Sequence, residues 1–480
     1  MKNILFAASE GVPFIKTGGL ADVVGSLPKC IDEKYFDVRV IMPKYACMKP
    51  EMKDKMQYVA HFYLDFNWKN VYVGILEAQV DGVHYYFIDN EGYFSGQKVY
   101  TDDPRWEIER YAFFSKAVLS ALPVIDFHPD VIHCHDWQTG LIPVYLRTAF
   151  GGDQFYARIR TVFSIHNLKF QGRWKLKEVM DITGLPAQIF NSRELEFYGE
   201  ANYLKGGVVY ADAVGTVSPS YAYEICTPEG GEGLNGLLSG KPNRIFGILN
   251  GIDYEEYNPV NDPYIEANYG AEDAVAEKKK NKEALQRELG LAVESDTFLI
   301  GMVSRLTDQK GLDLVMCVLE ELLADKKVQL VILGEGEERY ENMLRQAQTR
   351  HPEKFGLFVG YSDEMAHKIY ASADAFLMPS LFEPCGLCQM IAMRYGTVPI
   401  VRETGGLQDT VQSYNEYENI GTGFSFRNYN AHEMLFVIRY AHDIFRNRRE
   451  NWNGIIRRAM KQDFSWDASA KQYEVLYERL

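Results

Sequence analysis

The feature that most constrains this chain is the alternation of short, continuous apolar runs with longer helical patterns. The runs lie at residues 3–8, 38–42, 85–88, 131–134, 161–165 and 213–217, then at 246–249, 298–303, 329–333, 357–359, 375–378 and 398–401. Few of them alternate apolar with polar residues, which is typical of strands buried on both faces of a parallel sheet. Helical patterns between them, for example 112–122, 278–289, 313–323, 337–350 and 433–448, predict doubly wound α/β sheets.

The number of runs predicts two such domains, since seven of the twelve end before residue 250 and five follow it. A chain of 480 residues is long enough to bury two hydrophobic cores. We place the boundary at the Asn-Gly-Ile-Asp segment 250–253, giving a first Rossmann-like domain over 1–249 and a second over 250–462. A last amphipathic helix within 463–480 completes the chain.

Composition and charge exclude several classes of protein. The net charge of −15 argues against a broad basic surface for nucleic acid, and no stretch approaches the ~18 apolar residues of a membrane span. The apolar run at 4–9 is shorter than the h-region of a secretory signal. We therefore expect a cytoplasmic protein that binds neither nucleic acid nor membrane. The sequence does not show which proteins, if any, it binds.

Seven cysteines are scattered along the chain, and only Cys385 and Cys388 have C-x-x-C spacing. A zinc or redox site needs a second pair or a histidine cluster, and neither is evident. His133 and His135 are two residues apart, and we interpret them as pointing to opposite faces of a strand. The sequence therefore predicts no metal site.

Three loops of the first domain carry polar residues directly after predicted strands, where open α/β sheets bind ligands. The first holds Lys16, Gly18 and Gly19 at a helix start, which favours an anion, although a structural turn explains the glycines equally well. The second holds Asp136 and Trp137, a carboxylate for sugar hydroxyls and an indole for an apolar sugar face. The third holds His166 and Asn167, for which a structural and a functional role remain open.

Three loops of the second domain follow the same rule. Arg305 and Lys310 bracket a loop at a helix start, an arrangement suited to a diphosphate leaving group. Glu383 could orient sugar hydroxyls or stabilise developing positive charge. The backbone N–H groups of Gly386 and Leu387 favour a phosphate or a sugar. The loop of Thr404, Gly405 and Gly406 repeats this glycine-rich design after the next strand.

Taken in order, the segments K-T-G-G-L, H-D-W-Q, S-x-H-N, N-G-I-D, R-L-x-x-Q-K-G and E-P-C-G-L resemble the bacterial glycogen synthase and plant starch synthase family. The resemblance runs from Lys16 to Trp466, nearly the whole chain. It implies a GT-B fold, two Rossmann-like domains facing across a cleft, with the last helix crossing back to the first domain. The implied reaction transfers glucose from ADP-glucose to the non-reducing end of an α-1,4-glucan with retention, without metal or pyridoxal phosphate.

The same resemblance implies roles for single residues. Arg305 and Lys310 would hold the diphosphate of ADP-glucose, and Glu383, Cys385 and Gly386 would surround the donor glucose. His166 would lie beside the anomeric carbon and Asp136 near the donor sugar. Lys16, Gly18 and Gly19 would approach the phosphates, Tyr361 would stack near the adenine, and Asn250 would help form the cleft. Cys388 departs from the family pattern, in which this position is Thr.

Other interpretations stay open at this point. A GT-B transferase that uses UDP-glucose or a small acceptor would carry much the same loops. A glucan phosphorylase shares the architecture but needs a lysine bound to pyridoxal phosphate. A non-catalytic glucan-binding protein would have no need of the Arg305 and Lys310 pair.

Overall fold

The computed structural model describes residues 1–241 and 245–480. The chain divides into two compact units. Unit 1 consists of Met1–Gly251 together with Trp466–Leu480, and unit 2 consists of Ile252–Ser465. The divisions fall within three residues of the boundaries predicted at 249/250 and 462/463.

Unit 1 is built on a nine-stranded sheet with a separate three-stranded sheet beside its helices. The nine strands have the order β12-β11-β7-β6-β1-β2-β5-β4-β3, and the small sheet has the order β8-β10-β9. The strands are β1 (Lys2–Ala7), β2 (Phe36–Pro43), β3 (Gln57–Phe66), β4 (Lys69–Val80), β5 (Val83–Asp89), β6 (Val131–His135), β7 (Arg160–Ile165), β8 (Arg173–Lys175), β9 (Glu196–Phe197), β10 (Glu200–Asn202), β11 (Ala213–Thr216) and β12 (Ile245–Gly247).

The parallel part of this sheet, from β12 to β5, confirms the predicted Rossmann-like arrangement. The antiparallel hairpin of β3 and β4 was not predicted. Its burial alternates along much of the strands because one face meets solvent, so it lacks the continuous apolar runs that marked the other strands.

Helices cover the parallel strands of unit 1 on both faces, as a doubly wound sheet requires. They are α1 (Gly19–Cys30), α2 (Pro50–Lys53), α3 (Glu91–Phe94), α4 (Pro104–Ala121), α5 (Leu141–Arg147), α6 (Leu176–Thr183), α7 (Tyr203–Tyr210), α8 (Pro219–Glu224) and α9 (Asn235–Ser239). The longest, α4, is capped by Asp103, whose side chain accepts from the backbone N–H groups of Arg105 and Trp106.

Unit 2 contains a six-stranded sheet, entirely parallel, in the order β15-β14-β13-β16-β17-β18. Its strands are β13 (Phe298–Val303), β14 (Val328–Gly334), β15 (Phe355–Val359), β16 (Ala375–Met378), β17 (Val398–Arg402) and β18 (Phe424–Phe426). Its helices are α10 (Ala274–Glu288), α11 (Leu312–Leu323), α12 (Glu338–Arg350), α13 (Asp363–Ser372), α14 (Cys388–Arg394), α15 (Gly405–Thr410), α16 (Ala431–Asn447) and α17 (Arg449–Met460).

The run at 246–249, which the predicted boundary places in the first domain, forms β12 and pairs with β11 in unit 1. Unit 2 has a sixth strand, β18, that was not predicted, because a three-residue segment is too short to stand out in the sequence.

The last helix, α18 (Trp466–Arg479), packs in unit 1 and so returns to the first domain as predicted. The Ser469 hydroxyl donates to the Leu249 carbonyl at 2.5 Å, and the Tyr477 hydroxyl lies 2.7 Å from Nδ1 of His133. Because these partners are more than 200 residues apart in sequence, the C-terminus helps to hold the β6 region in place.

Among residues 1–241 and 245–480, none of the helices combines the length and the apolar character that crossing a bilayer requires.

Candidate functional site

The polar residues of unit 1 meet at the carboxyl ends of three neighbouring strands. Strands β1, β6 and β7 are adjacent and parallel, with Ala7 opposite Cys134 and His135 opposite Ser164. The three strands therefore end at the same edge of the sheet. The residues that follow them are Ser9 and Glu10, Asp136, and His166 with Asn167.

Asp136 has a backbone conformation that side-chain-bearing residues seldom adopt, with φ 57° and ψ −178°. Its Oδ1 accepts a hydrogen bond from the backbone N–H of His166 at 2.7 Å, which fixes the carboxyl across the β6–β7 edge. Burial raises its pKa to about 7, and the negative charge of Glu10 acts in the same direction. Backbone strain and a shifted pKa at a strand end are features of functional sites.

Three histidines line this edge and share one side of the sheet. The rings of His133 and His135 stack at 4.1 Å, and Nδ1 of His135 lies 3.0 Å from Nε2 of His166. The prediction that His133 and His135 point to opposite faces is wrong, because side chains two apart on a strand share a face. Burial lowers the pKa of all three, to about 4 for His166, so the cluster is uncharged at neutral pH.

Glu10 is a site residue that the sequence analysis missed. Its carboxylate accepts from the backbone N–H and the hydroxyl of Thr17 and from the Tyr100 hydroxyl. Burial raises its pKa. The signal that could have found it is its position just beyond β1, the same strand-end rule that identified Asp136 and His166.

The Lys-Thr-Gly-Gly-Leu loop precedes α1 as predicted, and Lys16 forms an ion pair with Asp22 at 2.7 Å. Gly18 is the N-cap residue of α1, in an extended conformation, and a Cβ built on it would touch nothing within 4 Å. A ligand could therefore approach this backbone closely. The packing around Gly18 does not by itself require a glycine.

Trp137 does not fit the stacking role predicted for it. The indole is only 9 % exposed and packs edge-on against Tyr111 at 5.2 Å. Gly172 lies directly against the ring, since a Cβ there would be 2.2 Å from an indole carbon. The side chain is therefore part of the core beneath the site and offers no face to a sugar.

The two predicted asparagines differ in their surroundings. Asn167 forms a local turn, in which its Oδ1 accepts from the backbone N–H of Lys169 at 3.1 Å. Asn250 is buried in unit 1, and its Oδ1 has no hydrogen-bond partner among the described residues. Such an orphan acceptor is uncommon in proteins.

In unit 2 the structure brings Lys310 and Glu383 into direct contact. Lys310 follows β13 and Glu383 follows β16, and the two strands are adjacent and parallel. Nζ of Lys310 lies 2.6 Å from Oε2 of Glu383, and the Ser380 hydroxyl donates to the same oxygen at 3.0 Å. Both side chains of the ion pair are largely buried. Oε1 of Glu383 has no partner in the part of the chain that the structure describes.

Arg305 lies five residues before Lys310 but in a different environment. Its side chain is exposed and forms no ion pair or hydrogen bond with any described residue. The loop therefore holds one cation that is neutralised by Glu383 and one whose five N–H donors are available.

The loops around Glu383 are held together by backbone contacts. Gly405 has φ 46°, and a Cβ there would lie 2.0 Å from the Glu383 carbonyl oxygen. The N–H of Gly406 donates to that oxygen at 3.1 Å. The Thr404–Gly406 segment thus supports Glu383, and the N–H of Gly406 is not open to a phosphate as the sequence suggested. Cys385 is buried at the same junction.

The remaining predicted residues of unit 2 lie near these loops. Gly386 has φ 71°, and Leu387 is the N-cap residue of α14. Tyr361 follows β15, and its ring is 70 % exposed, with the hydroxyl donating to Asp363 at 2.5 Å. An exposed aromatic ring of this kind is suited to stacking. No group of three or more His, Cys, Asp or Glu in residues 1–241 and 245–480 is arranged to hold a metal ion.

Comparison with known proteins agrees with this geometry. The model of the starch synthase catalytic domain family matches residues 3–240, and that of glycosyl transferases group 1 matches residues 282–453. A glycogen synthase of Lachnospira eligens is 59 % identical over the whole of both chains, and one of Geobacillus stearothermophilus is 50 % identical over 100 % of this chain and 98 % of the relative.

Among solved structures, the catalytic domain of starch synthase IV from Arabidopsis thaliana, bound to ADP and acarbose, aligns with a TM-score of 0.89. It is 33 % identical and covers 100 % of this chain and 99 % of its own. This likeness confirms the predicted GT-B class of two Rossmann-like domains. The chain belongs to the glycogen synthase family, whose members are enzymes that transfer glucosyl groups.

Proposed function

We propose that this enzyme transfers glucose from ADP-glucose to the non-reducing end of an α-1,4-glucan, with retention of the anomeric configuration and without metal or pyridoxal phosphate. The observation that carries the proposal is the arrangement after β13 and β16. The Lys310–Glu383 ion pair, at 2.6 Å, sits in the same loop system as the unpaired guanidinium of Arg305.

Two cations of this kind suit a nucleoside diphosphate that gains negative charge as it leaves. All the N–H donors of the Arg305 guanidinium are free to bind phosphate oxygens. Two of them can bind one phosphate in a bidentate arrangement, which Lys cannot provide. Lys310 is a point charge held in place by Glu383, so a phosphate that reaches it meets an oriented group. Both residues stabilise the transition state more than the ground state, because the charge on the phosphate grows during the reaction.

Retention follows from a displacement on one face of the sugar. The bond from the anomeric carbon to the diphosphate oxygen breaks, and the bond to the 4-hydroxyl oxygen of the acceptor forms on the same face. The acceptor proton passes to the departing phosphate, so ADP leaves protonated at that oxygen. Glu383 supports the positive charge on the sugar through its Oε1, since Oε2 is taken by Lys310 and Ser380. No covalent adduct forms on it.

The strand-end cluster of unit 1 serves the donor sugar with uncharged groups. His166 is neutral at physiological pH, and Asp136, with a pKa of about 7, is partly protonated there. Neutral donors and acceptors hydrogen-bond hydroxyls without attracting the metal ions or counter-ions that a strong charge would attract. This is the role proposed for His166 beside the anomeric carbon and for Asp136 at the sugar.

The choice of ADP-glucose and glucan is supported by the Arabidopsis starch synthase IV domain, whose structure holds ADP and acarbose. A UDP-glucose-dependent transferase is the main competing function. The Anabaena protein HepE, whose structure was solved in complex with UDP-glucose, has the same fold at 16 % identity, so fold alone does not select the donor.

The test is transfer of radiolabelled glucose to glycogen from ADP-glucose and, in parallel, from UDP-glucose. We expect strong incorporation from ADP-glucose that is lost in Glu383→Ala and retained in Glu418→Gln, which alters an exposed carboxylate of unit 2. Incorporation from UDP-glucose alone would contradict the donor assignment. Unchanged activity after dialysis against EDTA, with no cofactor absorbance near that of pyridoxal phosphate, is the expected result for the cofactor assignment.

A further inference from the structure

His135 is fully buried, is bonded to His166 on one side and has no partner on the other. Its Nδ1 lies 3.0 Å from Nε2 of His166. Its Nε2 is buried without a hydrogen-bond partner in residues 1–241 and 245–480. The rings of Phe6 and His133 pack against the His135 ring, with centroids 5.3 Å and 4.1 Å away.

This asymmetry decides where the shared proton lies. A neutral imidazole carries one N–H and one bare nitrogen. If His166 Nε2–H donated to His135, the proton of His135 would have to sit on Nε2, as a buried donor with no acceptor. If His135 Nδ1–H donates instead, Nε2 of His135 is a bare nitrogen, and orphan acceptors are tolerated better than orphan N–H groups.

His133 does not compete for the proton. Its Nδ1 and Nε2 are both engaged at 2.7 Å, with the Tyr477 hydroxyl and the Ser164 hydroxyl. It therefore packs against His135 only through its ring face, and the His135–His166 pair forms a separate hydrogen-bonded unit.

We infer that His135 is a positioning residue that locks His166 in the Nδ1–H tautomer, so that His166 presents an N–H donor to a hydroxyl or phosphate oxygen of the bound sugar nucleotide. Nδ1 of His166 has no partner among the described residues, and the side chain is only partly buried. A histidine held in this form has no lone pair facing the ligand and is not a general base. The lowered pKa of His166 is in keeping with a ring that stays neutral. The ligand identity rests on the proposed function, whereas the tautomer does not.

The direct test is the ¹⁵N spectrum of histidine-labelled protein in the absence of ligand, with His166 assigned by its loss in His166→Gln. We expect Nε2 of His166 to resonate as a bare nitrogen and Nδ1 as a protonated one. In His135→Leu, which removes the donor, we expect the two tautomers to mix. A wild-type His166 protonated at Nε2 would overturn the inference, whatever the enzyme catalyses.

Kinetics supply the second readout. His135→Leu should lower kcat/KM about 10-fold, and His135→Asn, whose amide places a donor near the position of Nδ1, should recover most of that loss. If His135→Leu is unfolded, the wild-type spectrum and His135→Asn still decide the question. Equal kcat/KM in wild type and a folded His135→Leu would overturn the positioning role. An enzyme with no glucosyl transfer from ADP-glucose would instead refute the proposed donor and leave the tautomer result standing.

Discussion

The two units differ in the charge of the polar groups that lie at the carboxyl ends of their parallel strands. In unit 1 the groups beyond β1, β6 and β7 are driven toward neutrality by burial, with the pKa of Asp136 raised to about 7 and that of His166 lowered to about 4. In unit 2 the groups beyond β13 and β16 are paired or exposed, as Lys310 with Glu383 and as Arg305.

The difference follows from how each charge is accommodated. Burying a charge is costly unless a counter-charge or hydrogen bonds compensate for lost water. Unit 2 supplies the counter-charge 2.6 Å away, whereas the histidines of unit 1 have only one another and hydroxyl groups. One edge is therefore suited to an anion and the other to sugar hydroxyls.

The largest effect is expected for Lys310→Met. It removes the cation from the diphosphate and leaves Glu383 buried beside Ser380 without its counter-charge. We expect kcat to fall about 1,000-fold, near 4 kcal/mol of transition-state stabilisation. Initial rates with ADP-glucose measure it. An activity within a few-fold of wild type would contradict the proposal that the positive charge of Lys310 stabilises the leaving diphosphate.

The next effect concerns the glycines of the two units. Gly311 has φ 72°, and a Cβ there would lie 2.1 Å from the Pro379 carbonyl oxygen, so Gly311→Ala should destabilise unit 2 by about 3 to 4 kcal/mol. Gly18→Ala is the matched change in unit 1, where the space is open, and should leave stability within about 0.5 kcal/mol. Urea unfolding measures both. Equal losses in the two variants would contradict the structure.

The change in the free energy of unfolding at acid pH depends on the histidines of unit 1. The unfolded chain binds a proton on each histidine below about pH 6.5, whereas folded His166 does so only below about pH 4. The free energy of unfolding therefore falls as pH drops through this window, by about 3 kcal/mol from His166 alone. Asp136 acts in the opposite direction, since its raised pKa lets the folded state keep a proton that the unfolded state loses.

His166→Gln isolates this contribution because Asp136 is common to both proteins. Urea titrations at several values between pH 4 and 7 should show a shallower acid loss in the variant. His432→Gln, at an exposed position of unit 2, is the control and should follow the wild type. Parallel profiles for wild type and His166→Gln would mean that His166 is not held neutral.

The smallest effect separates the two cations of unit 2. Arg305 is exposed and unpaired, so Arg305→Ala should lower kcat/KM about 30-fold, near 2 kcal/mol, without changing the urea midpoint. Arg427→Ala, at another exposed arginine of unit 2, serves as the control for loss of surface charge. A shift of the midpoint in Arg305→Ala would show that the guanidinium has a structural role.

The pair of parallel sheets and the loops that carry the candidate site could be predicted from the order of residues. Continuous apolar runs identify strands buried on both faces, and the rule that ligands bind beyond strand ends places Asp136, His166, Lys310 and Glu383 at sheet edges from the order of residues alone. The β3–β4 hairpin was missed because its exposed face breaks the apolar pattern.

The contacts of those residues could not be predicted and are known only from the folded chain. Trp137 lies in the core against Gly172, although its position beside Asp136 suggested a sugar-stacking face. The Lys310–Glu383 pair and the His135–His166 bond join residues 73 and 31 positions apart. Sequence spacing carries no information on such distances, because they depend on which strands become neighbours in the folded sheet. Burial sets the charge of each group, and it exists only after folding.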